Sequence, residues 1–131
     1  MVSFVRKGLL ALSVTIAASA ILAVASAYAA TGGGCNLSPD GYVQVCISEN
    51  AQYWIVPDAY VSPYTTNCQI WVDEYIDGSW SGDSGPFYFD GGGHFYGPLV
   101  QATPGHKYEA FVSSLICNEI STAAWSPSLY T

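Results

Sequence analysis

Positive charge is almost missing from this chain: three Lys or Arg stand against ten Asp or Glu in 131 residues. Arg6 and Lys7 lie in the first thirty residues, which hold no acid. Beyond them Lys107 alone faces all ten acids, a side-chain charge of one minus ten, or −9. Such a surface repels phosphate backbones and anionic headgroups, which argues against nucleic acid and, once the leader is gone, membrane as partners. Histidine is scarce too, at two, leaving few groups for acid–base chemistry near neutral pH. No sustained helical period occurs after residue 30, and there is no internal repeat.

The one long apolar run covers about residues 8–24, behind Arg6 and Lys7 and before the small residues Ala25-Ser26-Ala27 and Ala27-Tyr28-Ala29. A basic start, an apolar centre and a small-residue exit describe a secretory signal peptide, with cleavage expected after Ala29. A membrane-spanning helix is the competing reading, since the run is nearly long enough to cross a bilayer, but no basic stop-transfer cluster follows it. The expected organisation is a signal peptide over 1–29, a flexible glycine-rich leader over 30–34 and one domain over 35–131. The protein is expected outside the cell.

What remains is rich in Tyr, Trp, Phe, Val and Ile, punctuated by Gly, Pro and Asn. That is an all-β pattern, with candidate strands at 41–47, 53–61, 69–76, 86–89, 94–102, 108–117 and 123–130. Asp77-Gly78 is a hairpin-type turn, and Pro98 breaks the fifth strand or marks an edge. Cys35, Cys46, Cys68 and Cys117 are an even set in an exported chain, so two disulfides are expected. Three connectivities are possible. Cys35–Cys46 and Cys68–Cys117 are preferred, because Ser38-Pro39-Asp40-Gly41 can fold the chain back between the first two. No close cysteine pair suggests zinc.

The turn Pro104-Gly105 is followed by Tyr108 and a strand ending in Cys117. Together with Phe111-Val112, Ser121-Thr122-Ala123-Ala124-Trp125-Ser126-Pro127 and Thr131, this end of the chain resembles a fibronectin type III domain. Ala102 stands where that family usually places leucine. The resemblance implies a seven-stranded immunoglobulin-like sandwich, with Tyr108 as a corner tyrosine bonded to backbone upstream. It also makes the strands of Cys68 and Cys117 antiparallel neighbours. Strict alternation then creates a conflict: Cys68 shares the parity of the inward Ile70 and Val72, whereas Cys117 opposes that of Tyr108, Ala110 and Val112. Only a bulge reconciles them.

Several segments invite a chemical reading. Gly82-Asp83-Ser84-Gly85 resembles the nucleophile segment of trypsin-like proteases, but both His94 and His106 follow Ser84, and a turn is the expected role. Asp73, Asp77, Asp83 and Asp90 suggest a loose calcium site, yet Tyr88 stands where an EF-hand needs glutamate. No cofactor motif occurs, and no metal site is expected. Asn36-Leu37-Ser38 is a glycosylation acceptor pattern.

The aromatic residues are the informative surplus. Alternation that points Ile70, Val72, Tyr108, Ala110 and Val112 inward sends Trp71, Tyr75, Phe111 and Leu115 outward together, and a contiguous apolar patch signals a partner. The expectation is a secreted, non-enzymatic module contacting a protein or carbohydrate through that face. The alternatives are a disulfide-stapled inhibitor or toxin-like effector, with a rigid loop at 77–86 or 48–52, and a small secreted hydrolase.

Overall fold

Branched and aromatic side chains fit a pleated, half-buried surface, and the chain uses them so. The computed structural model describes residues 30–131. The expected signal peptide, 1–29, lies outside the described residues. Within them the elements are all strands: β1 (Thr31–Gly32), β2 (Gly34–Leu37), β3 (Val43–Glu49), β4 (Trp54–Val61), β5 (Cys68–Ile76), β6 (Ser79–Phe89), β7 (Gly93–Tyr96), β8 (Val100–Gln101), β9 (Lys107–Cys117), β10 (Ile120–Trp125) and β11 (Leu129–Tyr130).

They form two antiparallel sheets. One runs β1-β11-β9-β5-β6, with β10 also on β9; the other runs β2-β3-β4-β7, with β8 also on β4. The core lies between them. Val43, Val45, Ile47, Ile55 and Ala59 from the second sheet meet Ile70, Val72, Tyr108, Ala110, Val112 and Leu115 from the first, all buried. The break expected at Pro98 is present, and a second, unforeseen one divides the expected 123–130 strand. Pro98 separates β7 from β8, and Ser126-Pro127 separates β10 from β11. Ser126 carries the ladder across its gap: its N–H donates to the Ala110 carbonyl at 2.9 Å, and the Ala110 N–H donates to Ser126 Oγ at 2.8 Å.

Both disulfides form as preferred, Cys35–Cys46 between β2 and β3 and Cys68–Cys117 between β5 and β9. Each joins residues directly opposite in register. The parity conflict at Cys117 is resolved by a bulge in β9. Trp71 pairs with Ser114 and Asp73 with Phe111, so Val112 and Ser113 together oppose Val72 alone. The extra residue inverts everything after it, turning Cys117 inward to meet Cys68. The same inversion corrects one expectation: Leu115 is not on the outer face but wholly buried, opposite Ile70.

Two further expectations change. Segment 79–85 is strand, not turn or loop, because the Asp77-Gly78 hairpin starts a ladder at Ile76 and Ser79 that runs on to Cys68 and Phe89. The rigid loop an inhibitor needed at 77–86 is therefore mostly edge strand. The glycine-rich leader is also not free. Thr31 and Gly32 pair with Tyr130 and Leu129, and the Gly33 N–H donates to the Ser128 carbonyl at 2.8 Å. Gly32 and Gly33 both adopt positive φ, and a Cβ would lie 2.6 Å from the Ser128 carbonyl oxygen at the first and 2.8 Å from that of Ile47 at the second. Glycine serves close passage between the sheets here rather than flexibility.

Tyr108 is buried, and the Thr103 N–H donates to its hydroxyl at 3.0 Å. Tyr108→Phe should cost about 1–3 kcal/mol in chemical denaturation, because it strands that donor. A neutral result would show that the bond stabilises nothing.

Candidate functional site

On the outer face of the first sheet, strand alternation and register gather four rings. Tyr75 lies on β5 and Phe111 on β9; Trp125 on β10 is directly opposite Phe111, and Trp80 on β6 directly opposite Tyr75. Phe111 and Trp125 stack at 4.1 Å and 17°, while Tyr75 meets Trp125 edge-on at 4.8 Å and Phe111 at 6.2 Å. The two edge-on separations are those of favourable aromatic pairs, and the stacked pair is closer still. Trp80 and Trp125 are exposed; Tyr75 and Phe111 are half-buried.

Of the expected patch, the structure brings Tyr75 and Phe111 together. Trp71, half-buried opposite Ser114, joins none of these ring pairs, and Leu115 is inside. Sequence reasoning missed Trp125 and Trp80. Their side of the sheet depends on bulges in both ladders, at Thr122–Ala124 and at Glu74–Tyr75.

The face also carries acid. Asp73 sits between Phe111 and Asp83 in register. Its carboxyl is nearly buried, and burial raises its pKa; the Ser113 hydroxyl opposes the shift, and the charge of Asp83 adds to it. Flat rings beside carboxylates offer apolar contact and strong hydrogen-bond acceptors together.

A second cluster, unforeseen in the sequence, lies on the outer face of the other sheet. Asp58 and Tyr60 on β4 stand opposite Tyr96 and His94 on β7. His94 Nε2 and Asp58 Oδ2 are 2.6 Å apart, and the imidazole stacks on Tyr60 at 4.0 Å and lies 4.4 Å from Tyr96. The charge of Asp58, then burial, raises the Tyr60 phenol pKa. The signal was present as Asp-x-Tyr and His-x-Tyr, two period-2 pairs. Nothing in the sequence said that these two strands are neighbours.

The remaining candidates are otherwise engaged. His106 Nδ1 lies 2.6 Å from Asp77 Oδ2, and the Lys107 N–H donates to Asp77 Oδ1. Those bonds, the backbone one first, lower the Asp77 pKa. Asp90 accepts from the Asn67 N–H. Ser84 lies on β6 of the first sheet and receives a hydrogen bond from neither histidine. Among the described residues no three metal-ligating side chains converge. Pro104 and Gly105 form the turn before β9, where the Gly105 N–H donates to the Thr131 carbonyl. Comparison with family models, with curated proteins and with solved structures finds no match for the chain.

Proposed function

We infer that the chain is a secreted, non-enzymatic binding module of fibronectin type III-like architecture, contacting a protein or carbohydrate partner through the aromatic face of its first sheet. Two observations support the architecture. The strands split as β3, β4 and β7–β8 against β5, β6, β9 and β10–β11. That is the first, second and fifth of seven against the third, fourth, sixth and seventh. The Tyr108 hydroxyl is bonded to backbone five residues upstream, as a corner tyrosine is. Two disulfides in a domain of this size are compatible with an extracellular location, and the signal-like segment 1–29 supports export.

The observation that carries the binding role is the Tyr75–Phe111–Trp125 cluster, with Trp80 exposed beside it. Tryptophan and tyrosine bury large areas for little lost side-chain entropy, so they supply interface hot spots. Asp83, exposed on β6 beside it, suits hydroxyl or cationic donors on the partner.

Trp125→Ala and Trp80→Ala should each weaken capture of the partner by about 2 kcal/mol, roughly 30-fold, while changing stability by less. Titration of the mature domain against an extracellular glycan panel, and against purified proteins captured from the native medium, measures this. Substitution of Ser84, His94 or His106 should leave affinity unchanged. Wild-type affinity in both tryptophan variants would remove the face from the function. Unfolding by either, at the scale of core truncation, would make the rings packing alone.

A further inference from the structure

We propose that Glu49 is the built-in receptor for the processed N-terminus: cleavage after Ala29 creates an α-ammonium on Ala30 that docks on this carboxylate and ties the two sheets together. The inference rests on the exported reading given above. The Ala30 N–H already donates to Glu49 Oε2 at 3.2 Å, and the other oxygen, Oε1, is buried without a hydrogen-bond partner among the described residues. A buried acceptor with no donor is costly. A peptide N–H offers one donor and no net charge, enough for one oxygen. Hydrolysis of the Ala29–Ala30 bond by a peptidase and water leaves a carboxylate on the leader and an amine on Ala30. That amine takes up a proton near neutral pH, giving three donors and a full charge at the same place.

No other cation in the described chain is left for Glu49. Lys107, the only Lys or Arg there, pairs with Glu109 at 3.2 Å; His94 is held by Asp58 and His106 by Asp77. The shallow cleft at the site, about 440 Å³, is lined by Ala30 and Glu49, and its other titratable groups are Asp58 and Tyr60. Position is set by the backbone. Ala30 packs against the core and precedes β1 on the first sheet, whereas Glu49 ends β3 on the second. The pair therefore spans the sandwich.

The test uses the full chain, exported with its own leader. Intact mass of the secreted protein locates the new end, expected at Ala30. Acylation of the α-amine by an amine-reactive reagent, followed on the N-terminal peptide from pH 6 to 10, then reads its protonation. The amine should react about tenfold more slowly at pH 7.5 than in Glu49→Gln, because the carboxylate holds the proton on an amine of ordinary pKa about 7.7–8.0. A variant with one glycine inserted between Ala29 and Ala30 keeps Glu49 but moves the amine, and should react at the faster rate. It also serves if Glu49→Gln does not fold. A processed end elsewhere than Ala30 overturns the proposal, as does equal reactivity of the native and altered chains.

Discussion

Replacing Cys68 and Cys117 together by alanine should lower the unfolding free energy by about 4 kcal/mol, the larger of the two disulfide effects. The bond closes a loop spanning 49 positions, and in the chain-entropy model a loop of about 50 residues gives that figure, against about 3 for the shorter Cys35–Cys46 loop. Domains of this size hold only about 5–15 kcal/mol in all. The two loops do not overlap, so their contributions should add. Urea denaturation of the single and combined double-alanine variants measures both. Cys35 lies on an exposed edge strand, whereas Cys68 and Cys117 lie within the core between the long central strands β5 and β9. A loss at Cys68–Cys117 no larger than at Cys35–Cys46 would mean that bonded sulfurs do little for the central ladder.

Glu74→Gln should abolish most of a stability loss that the native protein suffers between about pH 4.5 and pH 7. Glu74 lies on β5, on the inner face with Ile70 and Val72, opposite Ala110 and Gly82. It is wholly buried, both carboxylate oxygens lack a partner among the described residues, and burial pushes its pKa up to about 7. The unfolded chain releases this proton near 4.5, so the folded state keeps it over a window in which the unfolded state does not. The contribution is full below about pH 4.5 and is lost as pH rises through 7, a difference of about 3 kcal/mol. Glutamine carries no charge to bury, so at pH 8 the variant should be the more stable by up to that amount. Asp73, also raised by burial, leaves a smaller slope of the same sign in the variant. Asp77, lowered by its bonds, acts oppositely and destabilises only on further acidification. Thermal or urea unfolding at pH 4, 6 and 8 decides. Parallel pH profiles for both proteins would show that Glu74 is solvated or paired in solution.

Much of the sandwich was legible because alternation is a local property. Ile70 and Val72, and Tyr108, Ala110 and Val112, declare their inner face within five residues, and Asp77-Gly78 declares its hairpin. What stayed hidden depends on register between strands far apart in the chain. The extra residue at Val112–Ser113 carries no sequence mark, yet it both rescues the Cys68–Cys117 bond and takes Leu115 out of the expected patch. Asp58 and His94 are 36 positions apart and meet only because β7 pairs with β4. Segment 79–85 has little strand propensity of its own and becomes strand because β5 templates it. Three consecutive glycines suggested flexibility on composition, whereas two of them are needed where no side chain fits.

The pairing of β1 with β11 sets Thr31 against Tyr130, so nearly the first and the last described residues share one ladder. This is the longest sequence separation among the strand pairings. Closing a loop of that length carries its entropic cost before any contact offsets it, which places the step late in folding. During synthesis Thr31 is made well before Tyr130 and waits for its partner until β11 has been delivered. The edge of the first sheet at β11 is therefore sealed by an early-made segment joining a late-made one, and a nascent chain that has not yet reached β11 has no means of closing it.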